Sequence, residues 1–269
     1  MDISDLEYAS QKLMQLKSEF QIDIFPDWGE GVDGAWQKGK WLKDELDKLH
    51  GSVGLLASAM GGATNFFKNI GSIQVKKANI GTHGGEALKH RISLSEKGSF
   101  SAWTVIHELA HTWDANHGWQ LSVALEKYTG GYTSRPLSFL KRLFGKRDSG
   151  FWKPEDLPGR RGRFPGCNAF GYFYGDKPSG SNWSFNRKED FAESVAMYVG
   201  WNGNNDLSAQ AHGRVERYLL PNGTKDKFFG QVDNWTDYAR FFYPENGDYA
   251  KTKRWQFVDG LVNGRIKLT

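Results

Sequence analysis

Five residues restrict this chain more than any others: His107-Glu108-Leu109-Ala110-His111. At 3.6 residues per turn, side chains four apart stand one above the other, so a helix gives the two histidines a common face. The surrounding string SFSAWTVIHELAHTWDAN predicts such a helix. Ser99 or Ser101 can cap its start, and Trp103, Ile106, Ala110 and Trp113 supply buried positions. Two imidazoles so placed can bind one Zn²⁺, and Glu108 beside them can take a proton from an attacking water. The competing reading is a pair of polar histidines on an ordinary helix face. Leu109, Ala110 and Trp113 bury the other side in either case.

Two histidines do not hold a catalytic zinc, so a third ligand is needed. His117 follows His107 by ten residues, at the metzincin spacing. That arrangement wants glycine where this chain has Asp114, and a methionine turn beneath the metal. The only later methionine, Met197, falls inside the helical pattern AESVAMYV. The other source is the helix Lys188-Glu189-Asp190-Phe191-Ala192-Glu193-Ser194. Glu189 and Glu193 lie one turn apart there, with Phe191, Ala192, Val195 and Ala196 on the packing side. Glu189 can ligate zinc, and Glu193 can accept the proton on the other nitrogen of a liganding histidine, fixing its tautomer. Asp114, three residues after His111, can help orient that ring. An acidic first turn at the favourable end of a helix would explain Glu189 and Asp190 equally well. Glu189 is the preferred third ligand, and Glu193 is the next choice within its helix.

HELAH followed by EDFAES resembles the gluzincin metallopeptidases, and more narrowly their anthrax-lethal-factor-like branch. The resemblance covers residues 99–116 and 188–200. It implies His107, His111 and Glu189 as zinc ligands, Glu108 as general base, and Glu193 as hydrogen-bond partner of a ligand. It also implies hydrolysis of a protein or peptide substrate. The family often places a transition-state tyrosine shortly before the glutamate ligand, whereas residues 181–187 read SNWSFNR. That role would pass to Tyr172 or Tyr174.

The remaining features bound the alternatives. One cysteine, Cys167, excludes an intrachain disulfide framework. No stretch of 18 apolar residues is present, so no membrane-spanning helix is expected. The start, MDISDLEYASQKLMQ, is acidic and polar, unlike a secretory signal, which predicts a cytoplasmic chain or one exported without such a signal. Residues 1–50 carry 6 basic and 11 acidic side chains, while residues 135–163 hold 9 basic and 3 acidic ones. That basic stretch, with aromatics nearby, is the basis for a nucleic-acid-associated alternative. No recognisable reading module accompanies it, and the acidic start weakens a uniform footprint. A metal-stabilised binding protein without proteolysis is the other alternative, but it leaves Glu108 beside the metal unexplained.

Along the chain, helices are expected over residues 3–19, 35–60, 188–199 and 207–220, with shorter pieces to Lys68 and near 120–127 and 137–144. The tail adds candidates at 234–242 and 248–262. Ser72–Lys76 and Arg91–Ser95 alternate as strands, with NIGTHGGEALKH read as a loop between them. Arg91–Ser95 is the expected cleft edge. The fold expectation is α+β and zincin-like, with a small sheet, an active-site helix and a mainly helical C-terminal part. One catalytic domain over 1–269 is expected, its N-terminal helices (about 1–68) covering the sheet or forming a minor lobe.

Overall fold

The computed structural model describes residues 3–25, 41–97, 100–129, 187–201, 203, 207–211, 224–226, 230–232 and 249–267. Two compact units divide the chain, Met1–Gly118 and Trp119–Thr269.

The first unit is α+β. Helix α1 (Ile3–Phe20) buries Ala9, Leu16 and Phe20, and the chain passes through Gln21 into strand β1 (Ile22–Ile24). Helix α2 (Lys43–Ala59) buries Leu46, Leu49, Val53 and Leu56. It begins later than its sequence pattern predicts. Trp41 and Leu42 precede it, and the Leu42 N–H donates to the Glu45 carboxylate at 2.8 Å. That bond satisfies one donor a helix start leaves open, so the helix is entered there. It runs unbroken through Gly51 and Gly54. The stop comes at Gly61 and Gly62, with φ of 83° and 115°, a region open to glycine and costly for other residues. Helix α3 (Ala63–Ile70) follows.

Strands β2 (Ile73–Ala78), β3 (Gly85–Leu88) and β4 (Arg91–Ser95) join β1 in a mixed sheet of order β1-β2-β4-β3. β1, β2 and β4 are parallel, and β3 returns antiparallel to β4. Arg91–Ser95 is therefore an inner strand and not the edge its pattern suggested. The stretch read as a loop supplies the end strand, β3. Its side chains gave no signal because Gly85 and Ala87 are small and Leu88 is 59% exposed. Main-chain pairing with β4 carries the strand instead.

Register aligns Ile24, Val75, Ile92 and Ala87 across one row of the sheet, and Lys77, Leu94 and Gly85 across the next. The apolar members of this face on β1, β2 and β4 are buried, whereas Asp23, Gln74, Arg91 and Glu86 on the opposite face are exposed. Lys77 is the charged exception on the inner side. Its Nζ donates to both Glu45 carboxylate oxygens at 2.8 Å and lies 5.9 Å from the centre of the Trp41 ring. Burying an ammonium is tolerable only with such a partner.

Helix α4 (Ala102–Asn116) packs against α2, α3 and the end strand β3. Its cap is Ser101, whose Oγ accepts from Thr104 N–H at 3.2 Å while Thr104 Oγ1 accepts from Ser101 N–H at 3.3 Å. The Asn116 side chain donates to the Ile70 carbonyl and ties the far end of α4 to α3.

The second unit is mainly helical. It contains α5 (Gln120–Thr129), α6 (Arg187–Trp201), a 3-10 turn at Tyr249–Lys251 and α7 (Lys253–Val262). A small antiparallel pair, β5 (Thr224–Asp226) and β6 (Gly230–Val232), also belongs to it. Leu121, Leu125, Phe191, Val195, Met197, Tyr249, Phe257 and Val258 form its core. The expected helix over 207–220 is described at 207–211, and the pieces at 137–144 and 234–242 lie outside the described residues.

One buried ion pair locks α6 to α7. Arg254 donates from Nε to Asp190 Oδ1 at 2.7 Å and from an η nitrogen to Oδ2 at 3.1 Å. Removing one member of such a pair strands the other charge away from water. We predict that Arg254→Met lowers the unfolding free energy by about 3–5 kcal/mol, and that adding Asp190→Leu recovers most of it. Urea unfolding of the three proteins checks this, and equal midpoints for wild type and Arg254→Met would refute it. Among the described residues, no helix is long and apolar enough to cross a membrane.

Candidate metal centre

Helix α4 is buried along most of its length. Trp103, Ile106, Leu109, Ala110 and Trp113 are each no more than 5% exposed, and the neutral Val105, Thr112 and Ala115 are also buried. Full burial of a side chain such as Ile106 or Leu109 stabilises by about 1.5–3 kcal/mol relative to exposure, so α4 is held firmly in place. The partly open positions in its middle are Thr104, His107 and His111. Spaced by three and four residues, they form one stripe.

On that stripe the two imidazoles meet. His107 Nε2 and His111 Nε2 are 3.1 Å apart, with the ring planes at 83°. Two nitrogens sharing a tetrahedral zinc at bond lengths of about 2.0–2.1 Å would stand about 3.3 Å apart. The ring nitrogens therefore already converge as a shared ion requires.

Glu189 lies in the first turn of α6, and its neighbours there are tied down within the second unit. Arg187 donates to the fully buried Glu126 of α5 at 3.1 Å, and Lys188 Nζ sits 3.3 Å from the centre of the Trp119 ring. Asp190 is committed to Arg254. The packing side of α6, with Phe191, Ala192, Val195 and Ala196, is fully buried. The first turn is thus fixed both by its core contacts and by charge.

Among the described residues, His107, His111 and Glu189 form one group able to hold a metal ion: one ligand atom from each lies within 4.8 Å of the others. Two imidazoles and a carboxylate are the donor set of a three-ligand zinc site that keeps a fourth position for water or substrate.

The other predicted positions have different surroundings. Glu108 is 6% exposed, and its side chain lies against Gly85 of β3. Asp114 is fully buried on α4, and Glu193 is 9% exposed one turn beyond Glu189. His117, the metzincin candidate, ends α4 with its Nδ1 3.0 Å from the Trp113 carbonyl oxygen. Met197 is buried within α6, as its helical pattern predicted. Tyr172, Tyr174, Cys167 and the basic stretch at 135–163 lie outside the described residues. The Asp190–Arg254 pair and the contact of Gly85 with Glu108 were not anticipated. The first had no signal beyond an acidic first turn, and the second was hidden in an apparent loop.

No protein-family model, curated protein or solved structure matches the chain.

Proposed function

We propose that this chain is a zinc-dependent endopeptidase of the gluzincin type, nearest to the anthrax-lethal-factor-like branch, acting as one catalytic domain on protein or peptide substrates. The convergence of His107, His111 and Glu189 ligand atoms within 4.8 Å carries the reading. In it, those three residues hold Zn²⁺, Glu193 accepts a hydrogen bond from a liganding imidazole, and Asp114 helps orient His111 through α4. When bound, zinc supplies Lewis acidity, lowering the pKa of a water and polarising the scissile carbonyl.

The chain's own groups do the rest. Glu108, one residue from the first ligand, takes a proton on its carboxylate as water attacks the carbonyl carbon, then returns it to the leaving amine. Tyr172 or Tyr174 is proposed to donate a hydrogen bond to the developing oxyanion. β3, as the end strand of its sheet, offers main-chain groups to an extended peptide, the role that the sequence pattern assigns to Arg91–Ser95.

The test is digestion of a peptide library by the zinc-loaded chain, with products read by mass spectrometry. Cleavage that stops with a chelator and returns with zinc supports the proposal. A chain that holds one zinc and binds a small hydroxamate, yet cleaves nothing, would move the assignment to a metal-stabilised binding protein.

A further inference from the structure

Glycine at position 85 is not there for its backbone. Six glycines among the described residues have positive φ, and Gly85 is not one of them. It sits in β3 opposite Leu94 in a regular antiparallel register. Any residue adopts that extended backbone, and glycine in a strand weakens it. What glycine provides here is the missing side chain. A Cβ at 85 would lie 2.6 Å from Glu108 Cγ, 2.9 Å from Oε1 and 3.0 Å from Cδ. The neighbouring Gly84 is less constrained, its Cβ meeting Thr104 Cγ2 and Oγ1 at 3.3 Å. Across the sheet the inner-face residues fall from Ile24, Val75 and Ile92 to Ala87, and from Leu94 to Gly85. The smallest member is thus the one beneath the carboxylate.

We propose that Gly85 is a positioning residue for Glu108: the bare strand backbone is the floor on which the carboxylate rests, one residue from the first histidine. This rests on the peptidase reading for its catalytic consequence, but not for the contact itself. A methyl group at 85 pushes the Glu108 carboxylate off its place, because the three atoms nearest to it all belong to Glu108. Misplacing a reacting group by about 1 Å can cost about 10²-fold in rate.

The experiment has two arms on the full chain. In the first, zinc-loaded Gly85→Ala is compared with wild type and Gly84→Ala. The expected result is a kcat about 10²-fold lower for Gly85→Ala, with KM and zinc content unchanged and Gly84→Ala near wild type. The second arm needs no activity and measures thermal unfolding of Gly85→Ala, Glu108→Ala and the double variant. Gly85→Ala is expected to lower Tm in the wild-type background, where Glu108 opposes the new methyl group. In the Glu108→Ala background it is expected to lower Tm little or not at all, because the opposing atoms are gone. Should Gly85→Ala fail to fold alone, the double variant is expected to fold. An equal Tm loss in both backgrounds, or an unchanged kcat, overturns the proposal. If the wild-type chain cleaves no peptide, the peptidase reading fails while the unfolding cycle still decides the contact.

Discussion

Alanine at His107 or His111 is expected to strip the chain of zinc. With three protein ligands, losing one leaves an imidazole and a carboxylate that cannot retain the ion against buffer. The affinity loss should exceed the roughly 10–100-fold that removal of a ligand's hydrogen-bonding partner costs. Glu189→Ala should behave the same way, because its carboxylate completes the group of ligand atoms lying within 4.8 Å of one another. His117→Ala should keep zinc, since its ring is occupied at the end of α4 with the Trp113 carbonyl. Zinc per chain, measured by mass spectrometry after purification without chelator, distinguishes these outcomes. Full zinc in His107→Ala, or its loss in His117→Ala, would overturn the ligand assignment.

Glu108→Gln should do the opposite: keep the zinc and lose the reaction. Glutamine has nearly the same volume, so it can occupy the space above Gly85, but its amide cannot take the proton of an attacking water. A positioned general base is worth about 10²–10⁴-fold, and cleavage should fall by that factor with metal content unchanged. The comparison is made on one peptide under identical conditions, with zinc measured in the same samples. Cleavage persisting at the wild-type rate would point to another base or to a contaminating protease.

Much of the α4 and α6 architecture was legible because both helices advertise themselves in side chains. Trp103, Ile106, Ala110 and Trp113 recur at helical spacing, as do Phe191, Ala192, Val195 and Ala196, and all eight are buried. Ser101 caps α4 as its chemistry suggested. The sheet was only half legible. β2 and β4 alternate Ile, Val and Leu with polar residues, whereas β1 has only three residues. β3 depends on main-chain pairing and close approach to α4, neither of which leaves a periodic trace in sequence. The late start of α2 was hidden for a similar reason. Glu45 reads as an ordinary helix former, yet its carboxylate accepts from Leu42 N–H and from Lys77. Long-range pairs such as Asp190–Arg254, 64 residues apart, have no local signature at all.

The Lys77–Glu45 pair also turns one amine into an internal gauge of the first unit. The Lys77 side chain has no exposed surface, whereas that of Lys17 on α1 is 52% exposed. An acylating reagent reaches Lys17 from solvent, but reaches Lys77 only when the sheet and α2 separate far enough to release its ammonium. Under slow labelling, the modification rate at Lys77 therefore follows the population of that opened state. Followed by mass spectrometry with and without zinc, it reads whether ion binding on α4 tightens the sheet beneath it.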